Sequence, residues 1–445
     1  MSKLQRVRKL GVLEQFHMMR HTLGLDSCVV GVARYTTAER TKLTKEILYP
    51  ALRAVIESHL ALGVRLEKKD NNPDNYFARL PNIDLSRIVQ FSESDDLQAA
   101  LESQLLHGFD TSSDIPLWRL QVLTDNTVLF TFHHVIADGM SSIAFHVQLL
   151  RALQKAAIDF SSDPVVHVPP TTTMIPAVDQ ATRVRPSLSL VVHELSKLIL
   201  PQSLTAASKE WTAKPTPRIP DLSNTHVRIQ SIPPQTIRNL LVVCRANQAT
   251  LTGAIYVLLG CVVSSLLDEK SKRKYNRVGG LVALSMRGMT GIDDYEICDH
   301  PSAVNTSVPL ANDFSWNEAA RLAQLLKGQK SKGREKIGLL NLLLGRFDVY
   351  FHGLLGRKRE VGFTLSNIGR WTAPAVEGKW TIGRTMFAQS DVVVGGAFNC
   401  SVAGDPTGAV NLTFTWSDVG VETVWMDNLV PLFKEKLSEL AEGRS

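Results

Sequence analysis

The chain has 445 residues, of which 44% are hydrophobic and 21% are charged, and its formal net charge is +6. This composition excludes a disordered chain, predicts a large core divided among two or three domains, and does not indicate a nucleic-acid partner. Five scattered cysteines without a CxxC pair argue against a disulfide framework or a structural zinc site and predict a reducing, cytoplasmic location. The segment MSKLQRVRKLGVLEQF at the start of the sequence lacks the apolar core of a secretory signal.

Residues 1–165 are predicted to form a first domain in which helices and strands alternate. The helical spacing of Leu13, Phe16 and Met19 indicates a helix near the start. The amphipathic stretch Lys42–Leu60 indicates a longer helix, which Pro50 is expected to kink or break. The other predicted elements are the strand Cys28–Tyr35, the helix Asp95–His107, and a hairpin of Pro116–Leu123 and Thr127–Phe132.

Prolines crowd residues 166–222, which are predicted to link this domain to a second one over residues 223–445. The strands predicted there are Thr225–Ile232, Val278–Met286, Val361–Ile368, Thr385–Val394, Ala397–Val402 and Val410–Trp416. The predicted helices are Ile237–Ala246, Leu251–Leu267, Trp316–Lys327 and Val421–Leu440. The apolar helix Leu251–Leu267 is expected to lie in the core, without stable membrane insertion. Alternation in both halves predicts an α/β fold with two α+β layers of similar design.

An apolar run, a sharp turn and an amphipathic helix follow one another over Leu129–Leu153. The turn carries His133, His134, Asp138 and Gly139. Rigid elements on both sides of a turn can aim a catalytic group into a cleft, and a neutral imidazole can accept a proton from a hydroxyl near neutral pH. We therefore predict that His134 is a general base.

The neighbours of His134 in this turn are assigned supporting roles. Asp138 can reach back locally or brace the turn against a cation, and Gly139 is expected to supply a backbone angle that other residues resist. His133 points to the opposite side of the strand and is predicted to be structural. A metal site of His133, His134 and Asp138 is disfavoured because side chains adjacent on a strand diverge and no further His or Cys cluster completes it. No metal is therefore predicted.

The sequence HHVIADG at 133–139 resembles the HHxxxDG motif of the CoA-dependent acyltransferase superfamily. That group includes chloramphenicol acetyltransferase, the condensation domains of peptide synthetases, plant BAHD acyltransferases and fungal alcohol acetyltransferases. Other stretches that resemble its members are VIESHLALG at 55–63, PLWRL at 116–120, the strand ALSMR at 283–287, the following turn SAVNTS at 302–307, and SNIG at 366–369. The DFGWG motif of the plant branch is absent, so the resemblance favours the fungal alcohol acetyltransferase branch.

The resemblance implies two chloramphenicol-acetyltransferase-like domains with an active-site tunnel between them and His134 in its middle. Acetyl-CoA is then the expected co-substrate, and a hydrophobic alcohol or secondary metabolite is the expected acceptor. Transfer is expected to be direct, without an acyl-enzyme, and Asp138 is expected to be structural and paired with Arg287. Candidate groups for the oxyanion are the Gly139 backbone N–H and the polar groups of Ser366 and Asn367, and Asn367 could equally be a turn residue.

The phosphates of CoA are assigned only to candidates, since no phosphate-binding loop is present. These candidates are Lys270, Lys272, Arg273 and Lys274, for which a solvated surface is the alternative. No bound cofactor is predicted, and the chain is expected to be a monomer. Two other functions remain open: transfer from a carrier-protein thioester, as in condensation domains, and a non-catalytic binding protein that retains the fold.

Overall fold

Strands and helices alternate along both halves of the chain, as the sequence predicts. The structure is a computed structural model that describes residues 4–67, 75–155, 163–199, 206–222, 225–330, 332–372 and 378–444. Its strands are β1 (Arg6–Lys9), β2 (Val29–Thr36), β3 (Val64–Glu67), β4 (Tyr76–Arg79), β5 (Asn82–Asp84), β6 (Val89–Phe91), β7 (Trp118–Val122), β8 (Thr127–Phe132), β9 (Val165–His167), β10 (Glu210–Trp211), β11 (His226–Ile232), β12 (Arg277–Ser285), β13 (Pro301–Pro309), β14 (Phe363–Arg370), β15 (Thr381–Gln389), β16 (Phe398–Gly404) and β17 (Val410–Trp416).

Helices alternate with these strands along the chain. They are α1 (Val12–Thr22), α2 (Lys45–Ser58), α3 (Leu97–Leu106), α4 (Gly139–Lys155), α5 (Val178–Ala181), α6 (Leu188–Ile199), α7 (Pro234–Ala246), α8 (Leu251–Leu266), α9 (Glu269–Lys274), α10 (Arg287–Thr290), α11 (Trp316–Lys330), α12 (Gly333–Leu339), α13 (Phe347–Leu354) and α14 (Thr423–Ala441). Helix α2 continues through Pro50 without a break, and the other expectation for this position, a kink, stays a prediction.

The first large sheet positions the predicted motif. Its strand order is β15-β2-β8-β7-β6, and every residue of β8 is buried. Neighbouring strands are antiparallel except for β6 and β7, which are parallel. Chain reversal after β8 brings α4 back over β2, with its apolar side chains in the same core. The HHxxxDG turn therefore lies where a buried strand meets a buried helix.

The second large sheet has the order β10-β12-β14-β16-β17-β11, with β13 paired to β12. Helix α8 is buried from Gly253 to Ser264, as expected of a core helix. Among the described residues no single helix has the length and apolar character needed to cross a membrane. The pair α7 and α8 meets that criterion by length and composition only when taken together, across a bend of 96°.

Three strand pairings differ from the sequence interpretation. Strand β15 belongs to the second half but pairs with β2, so it completes the sheet of the first half. Strand β10 lies inside the predicted linker and pairs with β12. The prediction of a turn at SAVNTS (302–307) is wrong, because these residues belong to β13 and pair antiparallel with β12. The domain boundaries at residues 165 and 222 thus stay a prediction. The sheets do not follow them strictly, because β15 joins the sheet of the first half and β10 of the linker joins the second sheet.

A glycine on β2 permits the close approach of α4. A Cβ built on Gly31 would lie 2.6 Å from Ser142 Cβ, which is shorter than real contacts, and 3.0 Å from Ser142 Cα, which is tight. We expect Gly31→Ala to lower the free energy of unfolding by about 1–3 kcal/mol, because the added methyl must displace the helix. Urea denaturation followed by circular dichroism measures this change. Gly383→Ala on β15 is the matched control, since nothing lies within 4 Å of a Cβ built at that position; equal losses in both variants would contradict the explanation.

Candidate active site

His133 and His134 follow the last residue of β8, and both rings pack against histidines of α1, so the predicted placement on opposite sides of a strand is not confirmed. The ring of His133 is 4.2 Å from that of His21, centroid to centroid, and is buried, with its Nδ1 accepting the Val135 backbone N–H at 3.0 Å. The ring of His134 lies 4.0 Å from that of His17. The side chain of His134 is 18% exposed, so it is not sealed inside the core.

A buried carboxylate that sequence analysis missed holds His134. Asp299 Oδ1 lies 3.2 Å from His134 Nδ1, and Asp299 Oδ2 lies 2.7 Å from His17 Nδ1. A carboxylate only accepts hydrogen bonds, so each neutral histidine donates its Nδ1–H. This tautomer leaves Nε2 of His134 as the nitrogen with a free lone pair.

The charges around His134 favour a proton on this ring over one on its neighbour. Burial disfavours the imidazolium of His134, but the hydrogen bond and negative charge of Asp299 outweigh burial and raise the pKa of His134 above 6.5. Burial, together with the charge of His134, holds the pKa of His17 well below that value. Burial also raises the pKa of Asp299. Of the two rings on Asp299, His134 is therefore the one that can gain a proton during a reaction.

The predicted pairing of Asp138 with Arg287 is present. Arg287 Nη2 donates to Asp138 Oδ1 at 2.8 Å, and both side chains are almost fully buried. Burial opposes ionisation of Asp138, yet the charge and hydrogen bonds of Arg287 and Ser141 keep the pKa of this carboxyl below its usual value. Arg287 also donates to the backbone carbonyl oxygen of Glu296 at 2.6 Å. The pair thus joins the motif turn to the segment after α10.

Gly139 is the first residue of α4, and the prediction about its backbone is wrong. It is not among the glycines with positive φ in the described chain, so no unusual angle requires glycine there. Its small size matters instead, because a Cβ would lie 3.0 Å from Ile368 Cγ2 and 3.6 Å from Phe387 Cε2. The end of β14 and strand β15 therefore pack directly against the start of α4.

Ser366 and Asn367 lie on β14 and are engaged with other groups. Asn367 Nδ2 donates to Thr252 Oγ1 at 3.0 Å, while its Oδ1 accepts the Gly369 N–H at 2.9 Å. Ser366 Oγ accepts a hydrogen bond from the side chain of Gln389. Asn367 therefore lies in a strand, not in a turn, and its side-chain amide is already engaged in these two bonds.

The basic residues suggested for phosphate binding lie at the opposite end of β12 from Arg287. Lys270, Lys272, Arg273 and Lys274 all belong to α9, which immediately precedes β12. Arg287 follows the other end of that nine-residue strand, which corresponds to roughly 30 Å at the usual rise per residue. Lys272 is paired with Glu269 on the surface. The assignment of these residues to the phosphates of CoA stays a prediction.

One group among the described residues has the spacing needed for a metal ion. The possible ligand atoms of His17, His134 and Asp299 all lie within 4.8 Å of one another. Two imidazoles and a carboxylate are donors that zinc accepts. The same atoms are already paired with each other by hydrogen bonds, which is sufficient to explain their proximity.

His17 and Asp299 gave no signal in the sequence. His17 lies within the predicted first helix, and Asp299 lies in a stretch for which no element was predicted. They are separated from each other by 282 positions, and Asp299 is separated from His134 by 165. Only a prediction of which strands and helices become neighbours could have brought them together.

Comparison with known proteins places this site in a family context. The sequence profile of a family described as alcohol acetyltransferase matches residues 9–286. The chain is 24% identical to the probable alcohol acetyltransferase crmB of Aspergillus fumigatus, with 94% of this chain and 96% of that protein aligned. It is 23% identical to the probable alcohol acetyltransferase FCK4 of Fusarium pseudograminearum, over 94% and 92% of the two chains.

Solved structures of the same architecture are also similar to the chain. The TRI3 trichothecene 15-O-acetyltransferase from Fusarium sporotrichioides superposes with a TM-score of 0.68 at 13% identity, over 97% of each chain. The condensation domain of the monacolin K polyketide synthase MokA gives a TM-score of 0.64 at 14% identity, over 99% of this chain and 98% of that one. These likenesses confirm the predicted α/β fold with the two-domain architecture of CoA-dependent acyltransferases and condensation domains.

Proposed function

The chain belongs to the alcohol acetyltransferase family, and from this membership we propose that it moves an acetyl group from acetyl-CoA to the hydroxyl group of a hydrophobic alcohol. Membership makes the chain an acyltransferase. The observation that supports the finer proposal is the partly exposed ring of His134, whose Nδ1 is held by Asp299 and whose Nε2 has no such partner among the described residues. A general base needs this combination of a fixed ring and an available lone pair.

The proposed reaction is a single transfer in which His134 carries the proton. Nε2 takes the proton from the acceptor hydroxyl as the oxygen attacks the thioester carbonyl carbon. The tetrahedral intermediate then collapses, the carbon–sulfur bond breaks, and the imidazolium returns the proton to the leaving thiolate. The backbone N–H of Gly139, at the first position of α4, is our candidate donor to the oxyanion. The free cysteines of the described chain are all buried, which gives no support to an acyl-enzyme.

The acceptor and its route are assigned at the level of chemical class. The names of crmB, FCK4 and TRI3 all refer to acetyl transfer to a hydroxyl, which supports an alcohol, and TRI3 suggests a secondary metabolite. We propose that donor and acceptor reach His134 through a tunnel between the two halves of a monomeric, cytoplasmic enzyme.

Incubating the purified protein with acetyl-CoA and a panel of alcohols tests this function. Terpenoid, polyketide and long-chain alcohols are compared, with thiol release as the rate signal and mass spectrometry of the ester as proof of transfer. We expect ester formation with at least one hydrophobic alcohol. Transfer from an acyl carrier protein with no turnover of acetyl-CoA would favour the condensation-type alternative. Failure with both donors would favour a non-catalytic protein.

The pH dependence of the reaction follows from the charge on His134. A base works only when unprotonated, and Asp299 raises the pKa of His134 above 6.5 against the effect of burial. We expect kcat/KM to fall on the acid side with an apparent pKa above 6.5. Initial rates from pH 5 to 9 at subsaturating acceptor measure this limb. A rate that stays constant down to pH 5.5 would contradict the assignment.

A further inference from the structure

Asp299 lies between two imidazoles that come from distant parts of the chain. One oxygen bonds to His134 on the motif turn, and the other bonds to His17 on α1. The carboxylate side chain is 0% exposed. A buried charge is tolerated only when its oxygens are paired, and here the two N–H groups provide that pairing.

The backbone on both sides of Asp299 is fastened to the motif turn. The Asp138 N–H donates to the carbonyl oxygen of Cys298 at 3.1 Å, and the His300 N–H donates to Asp138 Oδ2 at 3.2 Å. Arg287 also donates to the Cys298 carbonyl. Asp138 therefore holds the residues immediately before and after Asp299, and Asp299 in turn reaches back to His134.

We propose that Asp299 is the positioning residue of His134 and that His17 holds Asp299 in place. The proposal rests on the proposed function of His134 as the general base. In this proposal the Asp138–Arg287 pair holds in place the short segment that carries Asp299. His134 and Asp138 are thus connected through a residue 165 positions away from the histidine.

Asp299 would then determine the tautomer of neutral His134 and stabilise the positive charge of its protonated ring. The carboxylate keeps the proton of neutral His134 on Nδ1, which leaves Nε2 to face the acceptor. When Nε2 takes a proton, the negative charge of Asp299 stabilises the imidazolium. His17 remains neutral, since burial lowers its pKa, and acts only as a donor. Other charged or titratable groups around His134 and Asp299 are Glu14, Arg20, Asp26, His133, Asp138 and His300.

Asp299→Asn is the direct test, measured beside His134→Ala in the same assay. We expect kcat to fall about 100-fold or more with KM for both substrates changed little, because orientation and imidazolium stabilisation act in the transition state. We also expect the acid limb of kcat/KM to move to lower pH, since the group that raises the pKa of His134 is gone. The matched control is Asp391→Asn, a buried aspartate that accepts a hydrogen bond from Ser417, for which the limb should not move.

A pair of variants tests the role of His17. His17→Phe keeps a ring but removes the N–H that Asp299 accepts, and we expect a lower kcat. His17→Asn places an amide N–H near the position of Nδ1–H, and we expect it to recover much of the loss. Equal losses in the two variants would overturn the assignment of His17 as a donor. Circular dichroism and unfolding midpoints establish that each variant is folded.

The outcomes separate this proposal from the proposed function. Wild-type kcat and an unmoved acid limb in Asp299→Asn, with His134→Ala inactive, would overturn the role of Asp299 and leave the general base intact. Full activity in His134→Ala would overturn both. Activity lost on dialysis against EDTA and restored by zinc would also overturn the proposal, because the three residues would then be ligands of a metal.

Discussion

Replacing His134 with alanine is expected to lower kcat/KM for acetyl transfer by about 10²–10⁴-fold, the usual contribution of a general base. The partly exposed ring carries the free Nε2, and its removal leaves the acceptor hydroxyl without a proton acceptor. The fold should persist, because Asp299 keeps its hydrogen bond to His17. Thiol release and ester formation measure the loss, and the unfolding midpoint reports on the fold.

A second histidine provides the control for this variant. His107 follows α3 and is exposed, with its Nδ1 bonded to the Ser103 carbonyl oxygen. His107→Ala should transfer at the wild-type rate. If His134→Ala and His107→Ala were equally active, the motif histidine would not be the base.

Replacing Arg287 with methionine is expected to lower the free energy of unfolding by about 3–5 kcal/mol, because it leaves a buried carboxylate without its cation. Asp138 is buried and ionised beside Arg287, which holds the pKa of the carboxyl below 3.8 against the effect of burial. The stabilisation is therefore fully present above pH 3.8 and is lost as pH falls through the lower, folded-state pKa. Urea denaturation at pH 7 measures the full effect. Acetyl transfer should fall as well, since Arg287 helps to hold the Cys298 carbonyl beside Asp299.

An exposed arginine shows what the same substitution does without burial. Arg87 bonds to both oxygens of Asp114 at the surface, with side chains 48% and 70% exposed. Arg87→Met should leave the unfolding midpoint unchanged within error, because solvent weakens the attraction between exposed charges and water hydrates the remaining carboxylate. If Arg87→Met lowered the free energy of unfolding as much as Arg287→Met, burial would not determine how much these ion pairs contribute to stability.

Local patterns were sufficient to predict the motif and its immediate support. The apolar run before His133 and the helical spacing after Gly139 define a strand, a turn and a helix, and the structure has β8 and α4 there. The alternation of side chains along a strand does not describe His133 and His134, because both follow the end of β8 and both rings pack against histidines of α1. The partner of Asp138 was suggested by resemblance, since nothing local in the sequence connects Asp138 to Arg287.

Long-range pairing could not be predicted in this way. The strand pattern over residues 385–394 indicates an extended segment, but it does not indicate that β15 pairs with β2 of the other half. His17 and Asp299 meet only because α1, the motif turn and the segment after α10 converge, and no periodicity encodes that convergence. The need for glycine at position 139 could not be predicted either, because the side chains that leave no room for a Cβ there are Ile368 and Phe387, on the distant strands β14 and β15.

The central claim is that the neutral imidazole of His134 takes the proton of the acceptor alcohol. The most direct measurement is rescue of His134→Ala by free imidazole, which can enter at the partly exposed position of the missing ring. We predict that acetyl transfer returns in proportion to the concentration of unprotonated imidazole and fades as the pH falls below the pKa of the free base. A His134→Ala enzyme that transfers acetyl groups at the wild-type rate without any imidazole would contradict the claim.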